Sequence, residues 1–290
     1  MATKVVSGSA SIPLGRALAR ELQADFIEVA FERHPGGFPD GEHYVRLLGS
    51  VSKEHVILVQ PTWPDAKIIE LFLLADAIHD SDADRITAVV PYFGYGRQDR
   101  RFLDGEPISA KTLAKHLAVD CDEILTMTIH NPEVLKTFPI PAREVSGMPS
   151  LGRYLKSAKV DFLLAPDDNA IRFVREVGDI ASTPWDSLEK ERIDSYTVRM
   201  TPKKLAVKGR SVAIVDDVIS TGGTIASAAK ELRSQGAHRV IAACVHGLFI
   251  DSAETNLKAL DDVIATDTIQ SPHTKASVAP EFAAAIRALG

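Results

Sequence analysis

Short runs of apolar residues, rich in β-branched side chains, recur along this chain with longer amphipathic stretches between them. This alternation limits the possible folds more than any other feature of the sequence. In the first half, Lys4–Val6, Ile27–Phe31, His55–Val59, Arg85–Val90 and Glu123–Ile129 read as strands, and the spacing predicts helices over Asp65–Ile78 and Ile108–Leu117. In the second half, strands are expected at Asp161–Ala165, Ser211–Val215, Arg239–Val245 and Asp262–Thr266, with helices at Asn169–Val177, Thr224–Gln235 and Ala253–Leu260. Alternating β and α elements imply an α/β fold, a mostly parallel sheet covered by helices on both faces. Uninterrupted apolar strands such as Val56-Ile57-Leu58-Val59 suit burial on both sides.

The pattern occurs twice. Val56-Ile57-Leu58-Val59 leads through a helix to Asp84-Arg85-Ile86-Thr87-Ala88-Val89-Val90, and Val212-Ala213-Ile214-Val215 leads through a helix to His238-Arg239-Val240-Ile241-Ala242-Ala243-Cys244. Asp122-Glu123-Ile124-Leu125 and Asp261-Asp262-Val263-Ile264 continue the match. Two similar domains in tandem are therefore expected, residues 1–145 and 146–290, meeting near Val145–Ser150. A last helix is expected over Pro280–Leu289, with either domain as its packing partner.

The chain has 290 residues, 45% hydrophobic and 25% charged, with a net charge of −6. That balance fits a globular protein with a substantial core and argues against one that coats nucleic acid, which needs a dense Lys/Arg surface. The two cysteines, Cys121 and Cys244, lie in or beside apolar stretches, so buried packing is expected of both. With no Cys-x-x-Cys, no apolar run within Met1–Leu22 and no segment long enough to span a bilayer, a cytoplasmic protein without membrane attachment is expected.

The two halves differ just after their matching strands. The first has Gln60-Pro61-Thr62-Trp63-Pro64-Asp65, the second Asp216-Asp217-Val218-Ile219-Ser220-Thr221-Gly222-Gly223-Thr224. Glycines there allow a tight turn and close approach of N–H groups to an anion, and the following helix aims its positive end at the same spot. Ser220, Thr221 and Thr224 add hydroxyl donors, which suits a phosphate monoester, while the missing lysine excludes a Walker A loop. Asp216 and Asp217 fall at the carboxyl end of the strand, where open α/β sheets bind ligands, and can accept from ribose hydroxyls or hold Mg²⁺. This segment resembles the 5-phosphoribosyl diphosphate loop of type I phosphoribosyltransferases.

Three further segments narrow the resemblance: Phe38-Pro39-Asp40-Gly41-Glu42, Pro91-Tyr92-Phe93-Gly94-Tyr95-Gly96-Arg97-Gln98-Asp99-Arg100 and Glu106-Pro107-Ile108-Ser109-Ala110-Lys111. Together they look like the motifs of ribose-phosphate pyrophosphokinases, and the likeness covers nearly the whole chain. Its length and its ending, Ser277-Val278-Ala279-Pro280, look closest to the shorter archaeal-type members.

The resemblance implies two tandem type I phosphoribosyltransferase-like domains, ATP on the first and ribose 5-phosphate on the second. It gives Phe38, Asp40, Gly41, Glu42, Arg97 and Gln98 to ATP, and Arg192, Asp216, Asp217, Ser220, Thr221, Gly222, Gly223 and Thr224 to ribose 5-phosphate. Phe38 suits stacking on adenine, and Arg97 and Gln98 suit phosphate charge and amide hydrogen bonds. His130 and Asp167 become Mg²⁺ contacts, and Lys190 and Arg192, within Leu188–Ile193, the catalytic cations. The loop carrying Phe38 comes from a neighbouring subunit in that family, so a homo-oligomer with its ATP site at a subunit interface is implied.

Two rivals share part of the pattern. A base phosphoribosyltransferase uses the same phosphate loop but has no need of Phe38–Glu42 or Tyr92–Arg100. A non-catalytic regulatory relative has no need of Lys190, Arg192 and Thr221–Thr224 intact. The chain also departs from its relatives at Asn169, where glycine is common, and at Thr128, where an acid often stands two residues before the metal histidine. Asn tolerates left-handed backbone, so the turn at Asn169 is expected to survive.

Overall fold

The computed structural model describes residues 2–33, 38–192, 198–201 and 204–289. It divides into two compact units, Met1–Ser146 with Val278–Gly290, and Gly147–Ser277. The first unit begins β1 (Thr3–Ser7), α1 (Ile12–Leu22), β2 (Asp25–Ile27), β3 (Val29–Ala30), β4 (Arg46–Leu47) and β5 (His55–Val59). It continues through α2 (Ala66–Asp80), β6 (Arg85–Val90), α3 (Ser109–Leu117), β7 (Glu123–Met127) and β8 (Ala142–Val145).

The second unit opens with α4 (Met148–Ser157), β9 (Phe162–Ala165), α5 (Ile171–Ala181), β10 (Trp185–Ser187), β11 (Glu189–Arg192) and β12 (Val198–Thr201). It goes on through β13 (Ser211–Ile219), α6 (Gly223–Ser234), β14 (Arg239–Gly247), α7 (Ala253–Leu257), β15 (Asp262–Thr266) and β16 (Thr274–Ala276). The last helix, α8 (Ala279–Arg287), returns to the first unit.

Both units use one topology. The first sheet runs β2-β1-β5-β6-β7-β8, every pair parallel. The second runs β10-β9-β13-β14-β15-β16, again all parallel. Each unit also carries a two-stranded antiparallel ribbon, β3–β4 or β11–β12, inserted before its third parallel strand. The strands run parallel because each crossover carries the chain back along the outside of the sheet, and helices on the faces bury the apolar runs from both sides. Ile57, Leu58 and Val59 in one sheet, and Ile214, Val215 and Ala243 in the other, are wholly buried.

Within the second unit α4 packs on α5, and Gly152 allows the close approach, since a Cβ there would lie 2.8 Å from Ile180 Cγ2. Within the first unit α8 packs on α1, burying Ala279, Phe282, Ala283 and Ile286, while the Arg287 guanidinium donates to the Glu21 carbonyl. The expected junction at 145/146 lies one residue from the division at Ser146–Gly147. The segment Val278–Gly290, expected within residues 146–290, groups with the first unit because α8 packs there.

Other departures from the sequence reading are local. The strand expected over Ile27–Phe31 is split into β2 and β3, which sends the chain out into the ribbon. β7 ends at Met127 because Thr128 turns to φ 40°. β13 continues to Ile219, past the expected end at Val215, with Asp216 opposite Cys244 and Val218 opposite His246 on β14. No helix among the described residues is long and apolar enough to cross a membrane.

Candidate functional site

The loop after β13 is Ser220-Thr221-Gly222, with α6 beginning at Gly223. Gly222 adopts φ 75°, a left-handed conformation that costs any residue with a Cβ, and so turns the chain from strand to helix. No side chain caps α6, so the N–H groups of its first turn are available to a ligand. Thr221, Gly223 and Thr224 are exposed, and a Cβ at Gly223 would meet nothing within 4 Å. From behind, Leu248 and Phe249 N–H donate to the Ile219 carbonyl, Ile250 N–H donates to the Ser220 carbonyl, and the Asn256 side chain donates to the Thr221 carbonyl at 2.8 Å. Asn256 was not foreseen: it stands 35 residues from Thr221, and no local motif announces such a contact.

Asp216 and Asp217 lie within β13, so the strand's alternation sends them to opposite faces. Asp217 is buried and Asp216 partly so. Burial, then the charge and hydrogen bond of Asp217, then the charge of Asp167 push the Asp216 carboxyl well above the ordinary carboxylate range. Asp167, after β9, thus lies near enough to Asp216 for its charge to bear on it, and the turn that follows Asp167 contacts β13. Asp167 accepts from the N–H groups of Asn169 (3.0 Å) and Ala170 (3.3 Å), capping a 3-10 turn over Asp168–Ala170. Asn169 is right-handed in that turn, so glycine is not needed there; the turn survives without the left-handed geometry expected of Asn.

In the first unit, the segment after β6 is built on a close contact. Gly94 N–H donates to Thr62 Oγ1 at 2.7 Å, and a Cβ on Gly94 would lie 2.5 Å from the Thr62 carbonyl oxygen. Tyr95, at φ 61°, donates its hydroxyl to Asp65 at 2.9 Å, and Gln98 N–H donates to the Tyr95 carbonyl. Arg97 and Gln98 are left exposed. His130, after β7, is also exposed and adjoins this segment: a Cβ at Gly96 would lie 4.0 Å from His130 Cβ, and Asn131 Nδ2 donates to Asp99.

The turn into His130 is held on two sides, by Thr128 N–H donating to the Val145 carbonyl (2.9 Å) and Ile129 N–H donating to Glu144 Oε1 (3.0 Å). An acid therefore reaches this turn from β8, although position 128 has none. Sequence reasoning missed Glu144 because its role depends on pairing between β7 and β8, not on local spacing.

Phe38–Glu42 forms a separate exposed turn. Gly41 N–H donates to the Phe38 carbonyl at 3.0 Å, Gly41 takes φ 80°, Glu42 N–H donates to Asp40 Oδ1, and Phe38 meets Tyr44 edge-on at 6.0 Å. Lys190 and Arg192 lie in β11, whose register sets them opposite Met200 and Val198 of β12; their side chains fall outside the described residues. Among the described residues, no group of three or more His, Cys, Asp or Glu side chains converges to hold a metal ion.

Comparison with known proteins agrees with this architecture. Residues 3–120 match the N-terminal domain of ribose phosphate pyrophosphokinase, and residues 150–284 match the phosphoribosyl transferase domain. A ribose-phosphate pyrophosphokinase of Methanopyrus kandleri is 40% identical over 98% of this chain and 99% of its own length. The one from Methanosarcina mazei is 38% identical over 98% and 95%. Among solved structures, phosphoribosylpyrophosphate synthetase from Mycobacterium smegmatis aligns over 100% of this chain and 99% of its own, with a TM-score of 0.81 and 29% identity.

Proposed function

This chain belongs to the ribose-phosphate pyrophosphokinase family, and we propose that the C1 hydroxyl of ribose 5-phosphate attacks the β-phosphorus of ATP on it, releasing AMP and forming 5-phospho-α-D-ribose 1-diphosphate. The observation that carries this reading is the loop after β13, where a left-handed glycine leads into an uncapped helix N-terminus with exposed threonines at its mouth. That is a seat for a phosphate monoester. To the neighbouring Asp216 carboxyl we assign the ribose hydroxyls.

The remaining parts follow from the chemistry of diphosphoryl transfer, which asks for alignment and charge neutralisation more than covalent catalysis. Ser220, Thr221, Gly222, Gly223 and Thr224 hold the 5-phosphate, with Asp216 and Asp217 serving the same substrate. Arg97 and Gln98 meet ATP on the first unit. Phe38, Asp40, Gly41 and Glu42, on their exposed turn, are offered to the ATP site of a neighbouring subunit in a cytoplasmic homo-oligomer. Lys190 and Arg192 stabilise charge on the phosphates as the bond to AMP breaks. His130 and Asp167 are each assigned a contact to Mg²⁺; neither alone would complete its shell, so phosphate oxygens and waters would supply the rest. When bound, such an ion neutralises phosphate charge.

The test is direct. Purified protein mixed with Mg-ATP and ribose 5-phosphate should release AMP only when both are present. A preparation that leaves ATP intact yet consumes 5-phosphoribosyl diphosphate with a nucleobase would instead be a base phosphoribosyltransferase.

A further inference from the structure

We infer that Asn256 is the positioning residue of the phosphate loop: its side-chain amide sets the direction in which the loop presents its N–H groups, and thereby the affinity for the 5-phosphate of ribose 5-phosphate. The inference rests on the reading of Ser220–Thr224 as the phosphate seat.

Asn256 lies in α7, five residues long and too short to stabilise itself, so it is held by its packing. Its Nδ2 donates to the Thr221 carbonyl at 2.8 Å and to Ser252 Oγ at 3.2 Å. A carbonyl can only accept, which fixes the amide nitrogen, not the oxygen, on the Thr221 side. In a planar trans peptide the carbonyl and the next N–H point in opposite directions. Tying the Thr221 carbonyl back toward α7 therefore turns the Gly222 N–H away from α7. The Ser220 carbonyl, bound by Ile250 N–H at 3.2 Å, turns the Thr221 N–H the same way. These two amides then emerge on the side opposite the segment Leu248–Leu257, just ahead of the uncapped first turn of α6.

The Thr221–Gly222 peptide needs such a tether more than its neighbours do. Gly222 has no Cβ to restrain it, so rotation of this peptide is cheap, and a rotated peptide would aim a carbonyl at the phosphate. The other tethers, from Leu248, Phe249 and Ile250, are backbone groups. Asn256 supplies a side-chain tether, and so a substitution can remove it. The next residue, Leu257, lies 3.2 Å from where a Cβ on Gly222 would stand and closes the back of the loop.

The experiment compares the full-length wild-type protein with Asn256→Ala and the nearly isosteric Asn256→Asp, using calorimetric titration with ribose 5-phosphate and steady-state kinetics. Loss of one neutral hydrogen bond should raise Kd and KM for ribose 5-phosphate about fivefold in Asn256→Ala. The rise should be larger in Asn256→Asp, whose carboxylate repels the Thr221 carbonyl. KM for ATP and kcat should stay unchanged. Ser252→Ala, which leaves the Thr221 contact in place, should bind as the wild type does. If Asn256→Ala does not fold, Asn256→Asp carries the test. Wild-type affinity in the folded variant, or equal losses for both substrates, overturns the role of Asn256. Failure of the wild type itself to bind ribose 5-phosphate overturns the phosphate seat instead.

Discussion

The ends of the first and third parallel strands are used differently in the two units. In the second, the residues after β9 and at the end of β13 are Asp167, Asp216 and the open loop Ser220–Thr224. In the first, the residues after β1 and β5 fold onto a charge of their own. Glu70, buried in α2, accepts from Ser9 N–H, from Ser9 Oγ (2.7 Å), from Gln60 Nε2 (2.9 Å) and from Lys67 Nζ (2.9 Å). Hydroxyl, amide, backbone N–H and ammonium donors, the groups a phosphate seeks, are here spent on an internal carboxylate. One scaffold therefore carries an open loop or a partly buried polar cluster, depending on a few residues past the strands, since loops vary while the sheet is kept.

The largest effect expected from testing this contrast is in the second unit's ribbon. Lys190→Ala should keep the fold and ATP binding but lower kcat on the order of a hundredfold or more, as loss of a preorganised charge contact does; AMP release by the purified variant measures it. Near-normal turnover would leave the two ribbons functionally alike.

Next comes the first unit's polar network. Glu70→Ala strands Lys67, Ser9 and Gln60 beside a cavity and should cost about 3 kcal/mol in urea unfolding, with KM for ribose 5-phosphate unchanged in the folded protein. A variant of unaltered stability and weakened ribose 5-phosphate binding would contradict the division of labour. Gly222→Ala is expected to weaken ribose 5-phosphate binding as well as stability. Its left-handed φ costs an alanine about 1–2 kcal/mol, and Leu257 stands in the way, so KM for ribose 5-phosphate should rise about tenfold.

The smallest difference is expected between the two cysteines, one buried in each unit. Burial is the main cause that pushes the Cys121 thiol up to about 12 and raises Cys244 further. At pH 8 a thiol with a pKa of about 12 is ionised in about one molecule in ten thousand. Iodoacetamide should leave the native protein unlabelled while the urea-unfolded chain takes up two labels by mass spectrometry. Rapid labelling of either native thiol would show its unit opening.

What was legible in the sequence was what depends on short-range pattern. Strands buried on both faces announce themselves as apolar runs, and the loop Ser220–Thr224 is contiguous, with glycines and hydroxyls side by side. What was not legible depends on pairing across long separations. β13 keeps its strand through two aspartates because β14 runs alongside as far as Gly247. Glu144 matters to the His130 turn only because β8 lies beside β7. α8 finds its partner through a contact spanning 266 residues. Asn169 stands where relatives often carry glycine, yet it lies in a right-handed turn capped by the Asp167 carboxylate, so the tolerance of Asn for left-handed backbone is not called on.

The return of α8 to the first unit has a consequence for how the protein is made. The unit that leaves the ribosome first lacks the helix that covers α1 until the whole second unit has followed it. A chain interrupted before Val278 would leave α1 without the helix that packs on it.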